Sequence, residues 1–286
     1  MSLSSRPPRR RLTPQALRRP VGPYPVLAGA TPLAFAHRGW SDSQDENSLA
    51  AFQRAVDAGC WFMETDVHVT ADGVPVLFHD KTLERMTGDQ RPICEFTWAQ
   101  LRTITIAGNP LVPSLAQALN SWDDVRWNLD LKVDAAVDIT LETIRRSNAF
   151  DRVLVASFSD WRLHRARRLA GPRLATSMGL GEVARLWMAS RGRTGWWGFV
   201  RNVPAVQVPA RSGAVRVVTP RFVDWAHRLG IQVHVWTIND PDTMRSLLDM
   251  GVDGIMTDDL AALTHVYHER GHWPVPLHPP KTPDSS

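Results

Sequence analysis

What this 286-residue chain lacks narrows its class before any motif is read. Cysteine is nearly absent: Cys60 and Cys94 stand far apart with no CxxC spacing, so neither a disulfide scaffold nor a zinc knuckle is expected and two free thiols are. No run of apolar residues is long enough to cross a bilayer, which argues against a membrane-spanning helix. Acidic residues are missing from residues 1–30, which hold Arg6, Arg9, Arg10, Arg11, Arg18 and Arg19. Removing that +6 from the overall formal charge of +4 leaves residues 31–286 at −2. The basic pI therefore belongs to an arm, and a nucleic-acid-binding body is not expected. The arm also carries Pro7, Pro8, Pro14, Pro20, Pro23 and Pro25 and has no apolar core segment of a secretory signal. It reads as an extended leader, the alternative being a weak electrostatic contact with anionic lipid. A second proline-rich stretch, GHWPVPLHPPKTPDSS, reads as a tail.

What is present is an alternation. Short apolar runs recur at 33–38, 62–69, 126–132, 153–158, 173–178, 205–209, 232–238 and 254–258. Amphipathic stretches lie between them at 48–59, 115–122, 139–148, 160–171, 220–230 and 242–251. Repeated strand–helix units of this kind imply a parallel sheet, and eight of them fit a closed (β/α)₈ TIM barrel in one domain. One segment breaks the rhythm. After the second strand comes Thr70-Ala71-Asp72-Gly73 and then VPVLFHD (74–80). A loop this short joins antiparallel strands only. The expectation is a β-hairpin flap folded toward the barrel mouth, opening an insertion over about 70–113. The domain reading is an arm over 1–30, the barrel over 31–268 and a tail over 269–286. TGWWGF (194–199) is expected as a second excursion on the same face.

In such barrels the chemistry gathers at the C-terminal ends of the strands. His37, Arg38 and Gly39 close the first. Glu64 and Asp66 share one face of the second, since side chains two apart point the same way, and Asp130 and Lys132 do so in the third. Carboxylates pointing into a barrel need a cation or a basic partner. With so few thiols or imidazoles beside them, an all-oxygen set suits one divalent ion, Mg²⁺ or Ca²⁺. His37 and His79, the second carried by the flap, suit acid–base cleavage of a phosphodiester beside that ion. His68, His164, His227 and His234 lack such company and read as structural or surface residues.

At these residues the sequence resembles the glycerophosphodiester phosphodiesterase family. The likeness runs through AHRGW (36–40), ENSLAAFQRAVDAG (46–59), METDVHVTADGVPVLFHDKTLERMTG (63–88), NLDLK (128–132), ASFS (156–159) and VHVWTINDPDTMRSLLDMGVDGIMTDD (233–259). The resemblance implies a barrel hydrolase acting on small glycerophosphodiesters, with His37 and His79 as general base and acid. It implies that Glu64, Asp66 and Asp130 hold the cation, that Arg38 and Lys132 address the phosphate, that Glu46 and Asn47 support the site, and that Trp236 lines the substrate pocket. Two positions depart from the family pattern: Asp45 stands where a proline is common, and Asp130 where a glutamate is. A second expectation keeps the chemistry but takes a lysophospholipid as substrate, motivated by Trp187, Trp196, Trp197 and Phe199. A third is a non-catalytic binder of phosphorylated head groups, which the intact histidine and carboxylate set speaks against. No protein partner is implied, and the expected location is the cytoplasm, with peripheral contact at the inner membrane face.

Overall fold

The structure, a computed structural model, describes residues 24–29, 31–41, 44–106, 108–192 and 203–272. Residues 1–23 of the arm, the 194–199 stretch with Trp196, Trp197 and Phe199, and the tail from 273 lie outside the described residues.

Nine strands and eight long helices carry the fold. The strands are β1 (Leu33–His37), β2 (Phe62–Val69), β3 (Pro75–Leu77), β4 (Arg126–Leu131), β5 (Val153–Ala156), β6 (Ala175–Thr176), β7 (Ala205–Pro209), β8 (Gln232–Trp236) and β9 (Gly254–Thr257). The helices are α1 (Leu49–Asp57), α2 (Leu115–Ser121), α3 (Ala136–Arg146), α4 (Asp160–Ala170), α5 (Leu180–Ser190), α6 (Pro220–Arg228), α7 (Pro241–Asp249) and α8 (Leu260–Glu269). Eight strands pair in parallel in the order β6-β5-β4-β2-β1-β9-β8-β7. A bridge between Ser177 and Ala205 joins the two ends, so the barrel nearly closes. All eight expected strands are present, most of them shorter at their C-terminal ends than the apolar runs that announced them.

Two helices were not legible in the sequence. Helix α5 follows Gly179 and has no side-chain cap of its own. The Asp160 carboxylate, at the start of α4, accepts from the backbone N–H of Gly181 at 2.8 Å and of Glu182 at 3.2 Å. The cap that starts this helix is thus supplied from another helix. Helix α8 is capped locally, by Asp259 accepting from Ala262 N–H, and it buries Leu260, Leu263, Val266 and Tyr267.

The core has three parts. The largest lies between sheet and helices, where Trp127 of β4 meets Phe52 of α1 edge-on at 5.0 Å. A second fills the barrel interior with Leu33, Phe35, Phe62, Leu154 and Met256. Tyr24, Val26 and Leu27 plug its base, and Arg126 donates to the carbonyls of Val26 and Ala28. The fold therefore extends into residues assigned to the arm on sequence, because their apolar side chains cover the open bottom of the barrel. The third part is the insertion's own: Val76, Phe78, Leu83, Ile93, Phe96 and Leu101 pack together.

The hairpin is present as expected. β3 pairs antiparallel with the end of β2, Val67 opposite Leu77 and Val69 opposite Pro75. Gly73 turns the chain at φ +78, a region favourable only to glycine and a few polar residues. The hydroxyl of Thr70 accepts from Val74 N–H at 2.9 Å. Phe78 N–H donates to Asp66 O, and Leu77 N–H to Pro113 O. The flap is therefore tied to both the barrel and its own insertion. Among the described residues no helix is long and apolar enough to cross a membrane.

Candidate active site

The loop after β1 sets the first residues. Arg38 adopts φ +57 and Gly39 φ +81. For arginine that left-handed backbone costs roughly 1–2 kcal/mol, a strain that tends to persist where function needs it. Gly39 has no alternative: a Cβ there would stand 2.8 Å from the backbone carbon of Ala51 in α1. The close approach seats the loop on the first turn of α1, with Arg38 N–H bonded to Glu64 O and Asn47 N–H to Arg38 O. His37 and Arg38 are thus aimed into the barrel mouth.

Strand register supplies the acids. Asp66 of β2 lies opposite Asp130 of β4, and Glu64 opposite Asn128. The Lys132 ammonium donates to Asp66 Oδ1 and to Asp130 Oδ2, each at 2.7 Å. Arg38 bonds Glu46 at 2.9 Å, with its Nε 3.4 Å from Asp66. Asn47 donates to Asp66 Oδ2 at 3.1 Å and accepts from Thr65. Burial raises the Asp66 carboxyl, but Lys132, Arg38 and the nearby His79 outweigh it and hold its pKa below the usual range. Glu64 has no comparable partner. Burial first, then the like charges of Asp66 and Asp130, push it up to about 7. Burial likewise raises Asp130 despite Lys132. Glu64 Oε2 and Asp130 Oδ1 are buried with no hydrogen-bond partner. Buried carboxylates left short of positive charge, all oxygen donors, fit a hard divalent cation. Among the described residues no three His, Cys, Asp or Glu side chains already converge on one point; the Lys132 ammonium stands between two of the three acids.

Both histidines are held in the same way. His37 Nδ1 lies 2.5 Å from Asp258 Oδ1, at the end of β9. Asn239 donates to the other oxygen of Asp258 at 3.0 Å, and its own carbonyl accepts from the Asp258 N–H. The Nε2 of His37 lies 3.7 Å from Glu64. Burial lowers the His37 pKa, but the Glu64 charge and the Asp258 hydrogen bond overcome it and raise it above the ordinary imidazole value. His79 Nδ1 lies 2.7 Å from Asp80, whose other oxygen accepts from Arg85 at 2.6 Å. Arg85 also pairs with Glu46, which links flap, insertion and β1 loop into one ionic chain. His68, read as structural, bonds the backbone carbonyl of His79 at 3.2 Å. In His37 and His79 the carboxylate occupies Nδ1, so Nε2 is the nitrogen left for proton transfer.

Of the residues named from sequence, His37, Arg38, Glu64, Asp66, Asp130, Lys132 and Trp236 line one cavity of about 540 Å³. Glu46, Asn47 and His79 are not among its lining residues and stand behind or beside it. Sequence reasoning missed Asp258, Asn239, Asp80 and Arg85. Asp258 was findable, as an acid closing a barrel strand. Arg85 carried no signal, because its value comes from the fold of the insertion.

Comparison with known proteins places the chain in a family. The family model described as "Glycerophosphoryl diester phosphodiesterase family" matches residues 37–262. The chain is 40% identical over 245 residues to a "Probable glycerophosphodiester phosphodiesterase 2" of Mycobacterium tuberculosis, spanning 84% of this chain and 92% of that protein. Among solved structures it is similar to a putative glycerophosphoryl diester phosphodiesterase from Silicibacter pomeroyi. That pair superposes with a TM-score of 0.71 at 26% identity, over 87% of this chain and 98% of the other. An Oleispira antarctica phosphodiesterase, solved with its product sn-glycerol-3-phosphate, shares the fold at a TM-score of 0.68 and 22% identity, over 83% and 97% of the two chains.

Proposed function

The chain belongs to the glycerophosphoryl diester phosphodiesterase family, and on that premise we propose that it hydrolyses glycerophosphodiesters to glycerol 3-phosphate and an alcohol with His37 as general base and His79 as general acid. The observation that carries the assignment is the matched restraint of the two imidazoles, each fixed at Nδ1 by a carboxylate, Asp258 and Asp80. His37 Nε2 takes a proton from the attacking oxygen as it bonds the phosphorus, and Asp258 steadies the imidazolium that forms; the attacker is either water, giving glycerol 3-phosphate directly, or a neighbouring substrate hydroxyl, whose cyclic phosphate a water then opens to glycerol 3-phosphate. His79 Nε2 gives a proton to the departing alkoxide, so no free alkoxide leaves the site. Arg38 and Lys132 face the cavity and bind the phosphoryl oxygens; Glu46 holds the Arg38 guanidinium in place. Trp236 forms the wall beside the leaving group.

Glu64, Asp66 and Asp130 would hold one divalent cation, Mg²⁺ or Ca²⁺. When bound, it supplies positive charge to a phosphoryl oxygen during displacement. The unpartnered oxygens of Glu64 and Asp130 support this assignment. Asp130, one methylene shorter than the usual glutamate, keeps the carboxylate but draws it back toward β4, which bears on which ion is preferred.

The direct test incubates the purified full-length chain with glycerophosphocholine and Mg²⁺ or Ca²⁺. Choline and glycerol 3-phosphate should appear in equal amounts, be lost with chelator and be lost in His37→Ala. Absence of turnover across choline, ethanolamine and glycerol head groups with either ion sinks the reading.

A second reading takes a lysophospholipid as substrate with the same chemistry. What favours it is the far side of the cavity, which is apolar: Met178, Val183, Trp187, Val208 and Val217 line it. Turnover of acylated against deacylated substrate separates the two.

A further inference from the structure

Barrel interiors are filled mainly by branched apolar side chains, and this one departs from that along a line of polar groups. Gln232 and His234 of β8, Gln207 of β7 and Asn128 of β4 are joined across the barrel. Asn128, Gln232 and His234 are each 5% exposed or less. The line starts at the backbone carbonyl of Leu27, in the segment that plugs the barrel base. That oxygen can only accept, so Gln232 turns its Nε2 to it at 3.3 Å and presents Oε1 to His234 Nε2 at 3.0 Å. Burial keeps the imidazole neutral. With its proton on Nε2, His234 accepts at Nδ1 from Gln207 Nε2 at 3.4 Å. Gln207 Oε1 in turn accepts from Asn128 Nδ2 at 3.3 Å. The direction of every bond is thus set from the barrel base upward. The line ends on Asn128 Oδ1, a buried acceptor without a partner, and Asn128 and Gln207 both line the cavity at the barrel mouth. A buried oxygen of this kind in a cavity wall calls for a donor from what the cavity binds.

We propose that Asn128 is a specificity-determining residue whose Oδ1 accepts a hydrogen bond from the substrate's glycerol, at the hydroxyl farthest from the phosphate. The inference rests on the phosphodiesterase reading above and adds a binding contact to it. Asn128 and Asp130 share one face of β4, so the amide lies about 6–7 Å deeper along the strand than the level of Asp130. Lys132 bridges Asp66 and Asp130 at that upper level. With the phosphoryl group held there by Lys132 and Arg38, a three-carbon polyol ester spans the step down to Asn128. The surroundings select the ligand class. Glu64 stands opposite Asn128 in the strand register, and Asp130 follows two residues on, so an anionic group is repelled. The line behind Asn128 is neutral throughout, which suits an uncharged hydroxyl over an ammonium.

The test compares two substrates of the full-length protein. One is glycerophosphocholine; the other is an analogue that keeps the hydroxyl beside the phosphate ester and has hydrogen in place of the far one. Either route of attack stays open on both. The parent should favour glycerophosphocholine in kcat/KM by roughly tenfold to a hundredfold, because the analogue leaves a buried acceptor unpaired. Asn128→Leu, close in volume but without the acceptor, should bring that ratio to within about threefold of unity, since neither substrate then has a partner to lose. A parent that turns over both substrates equally well overturns the proposal, and this arm needs no variant to fold. So does a folded Asn128→Leu that keeps the parent's ratio, because the far hydroxyl would then be read elsewhere. Thermal melts of the parent and Asn128→Leu with Mg²⁺ and Ca²⁺ give a readout apart from turnover. Equal shifts are expected; loss of the shift in Asn128→Leu would assign the oxygen to the cation and overturn the hydroxyl contact. Turnover without discrimination leaves the hydrolase reading intact, whereas turnover of neither substrate ends both.

Discussion

Asn in place of Asp258 removes the charge behind His37 and leaves the side-chain shape. The His37 Nδ1–Asp258 contact is 2.5 Å, and Asn239 bonds the second carboxylate oxygen at 3.0 Å. A hydrogen bond to a charged group contributes about 1.5–3 kcal/mol. Asp258 is half exposed, so solvent screening places it at the lower end, about 1.5 kcal/mol. At ~1.36 kcal/mol per decade of rate, losing the carboxylate should lower kcat roughly tenfold if it only stabilises the imidazolium. Should the amide also disturb the Nδ1–H tautomer, the loss grows toward roughly a hundredfold. Asp258 does not line the cavity, so KM should move by less than about threefold. The assay is initial-rate kinetics on glycerophosphocholine, with melting measured alongside to confirm folding and Asp258→Glu as the charge-retaining control. A folded Asp258→Asn enzyme whose kcat stays within about threefold of the parent would refute the role given to the pair.

Four further outcomes follow from the geometry. His234 is fully buried against Phe35 and bonded to Gln232, and burial pushes its pKa down to about 4. The folded state thus resists a proton that the unfolded chain binds near 6.5. The resulting stability is whole above pH 6.5 and drains away as pH falls toward 4, by ~3 kcal/mol in all; urea melts of the parent and His234→Gln at pH 7 and pH 4.5 should converge on acidification. Glu46→Gln should raise KM about tenfold with kcat less affected, since Arg38 and Arg85 lose their shared anchor; an unchanged KM would remove Glu46 from the phosphate site. Saturating Mg²⁺ or Ca²⁺ at about a hundred times Kd should add ~2.7 kcal/mol of stability, and Glu64→Gln should abolish most of that shift in a thermal melt; equal shifts in both proteins would place the ion elsewhere. Gly39→Ala should cost at least about 2 kcal/mol, combining left-handed strain with the clash against Ala51, read as the midpoint of chemical denaturation.

Much of the fold was legible because its signals are local. Each strand run and the helices α1, α2, α3, α4, α6 and α7 show their own periodicity, and the Asp72-Gly73 turn forces β3 to run antiparallel. Helix α5 was hidden because Asp160 caps it from another element. Residues 24–29 resembled a leader because their role, plugging the barrel base, exists only once the base does. In the site, the partners that sequence reasoning overlooked are the residues behind the reactive groups, Asp258, Asn239, Asp80 and Arg85.

By itself the sequence determined the parallel barrel, the family and the identity of the charged groups, because strand period, turn chemistry and motif spacing are written along the chain. Only the tertiary structure decided how those charges are shared. Register places Asp66 opposite Asp130, and Lys132 then bridges the two while Glu64 is left without a cationic hydrogen-bond partner. The division of the cavity into charged and apolar sectors has the same origin. It depends on which strand ends become neighbours when a sheet closes, and contacts between residues more than a hundred positions apart are fixed by that closure alone.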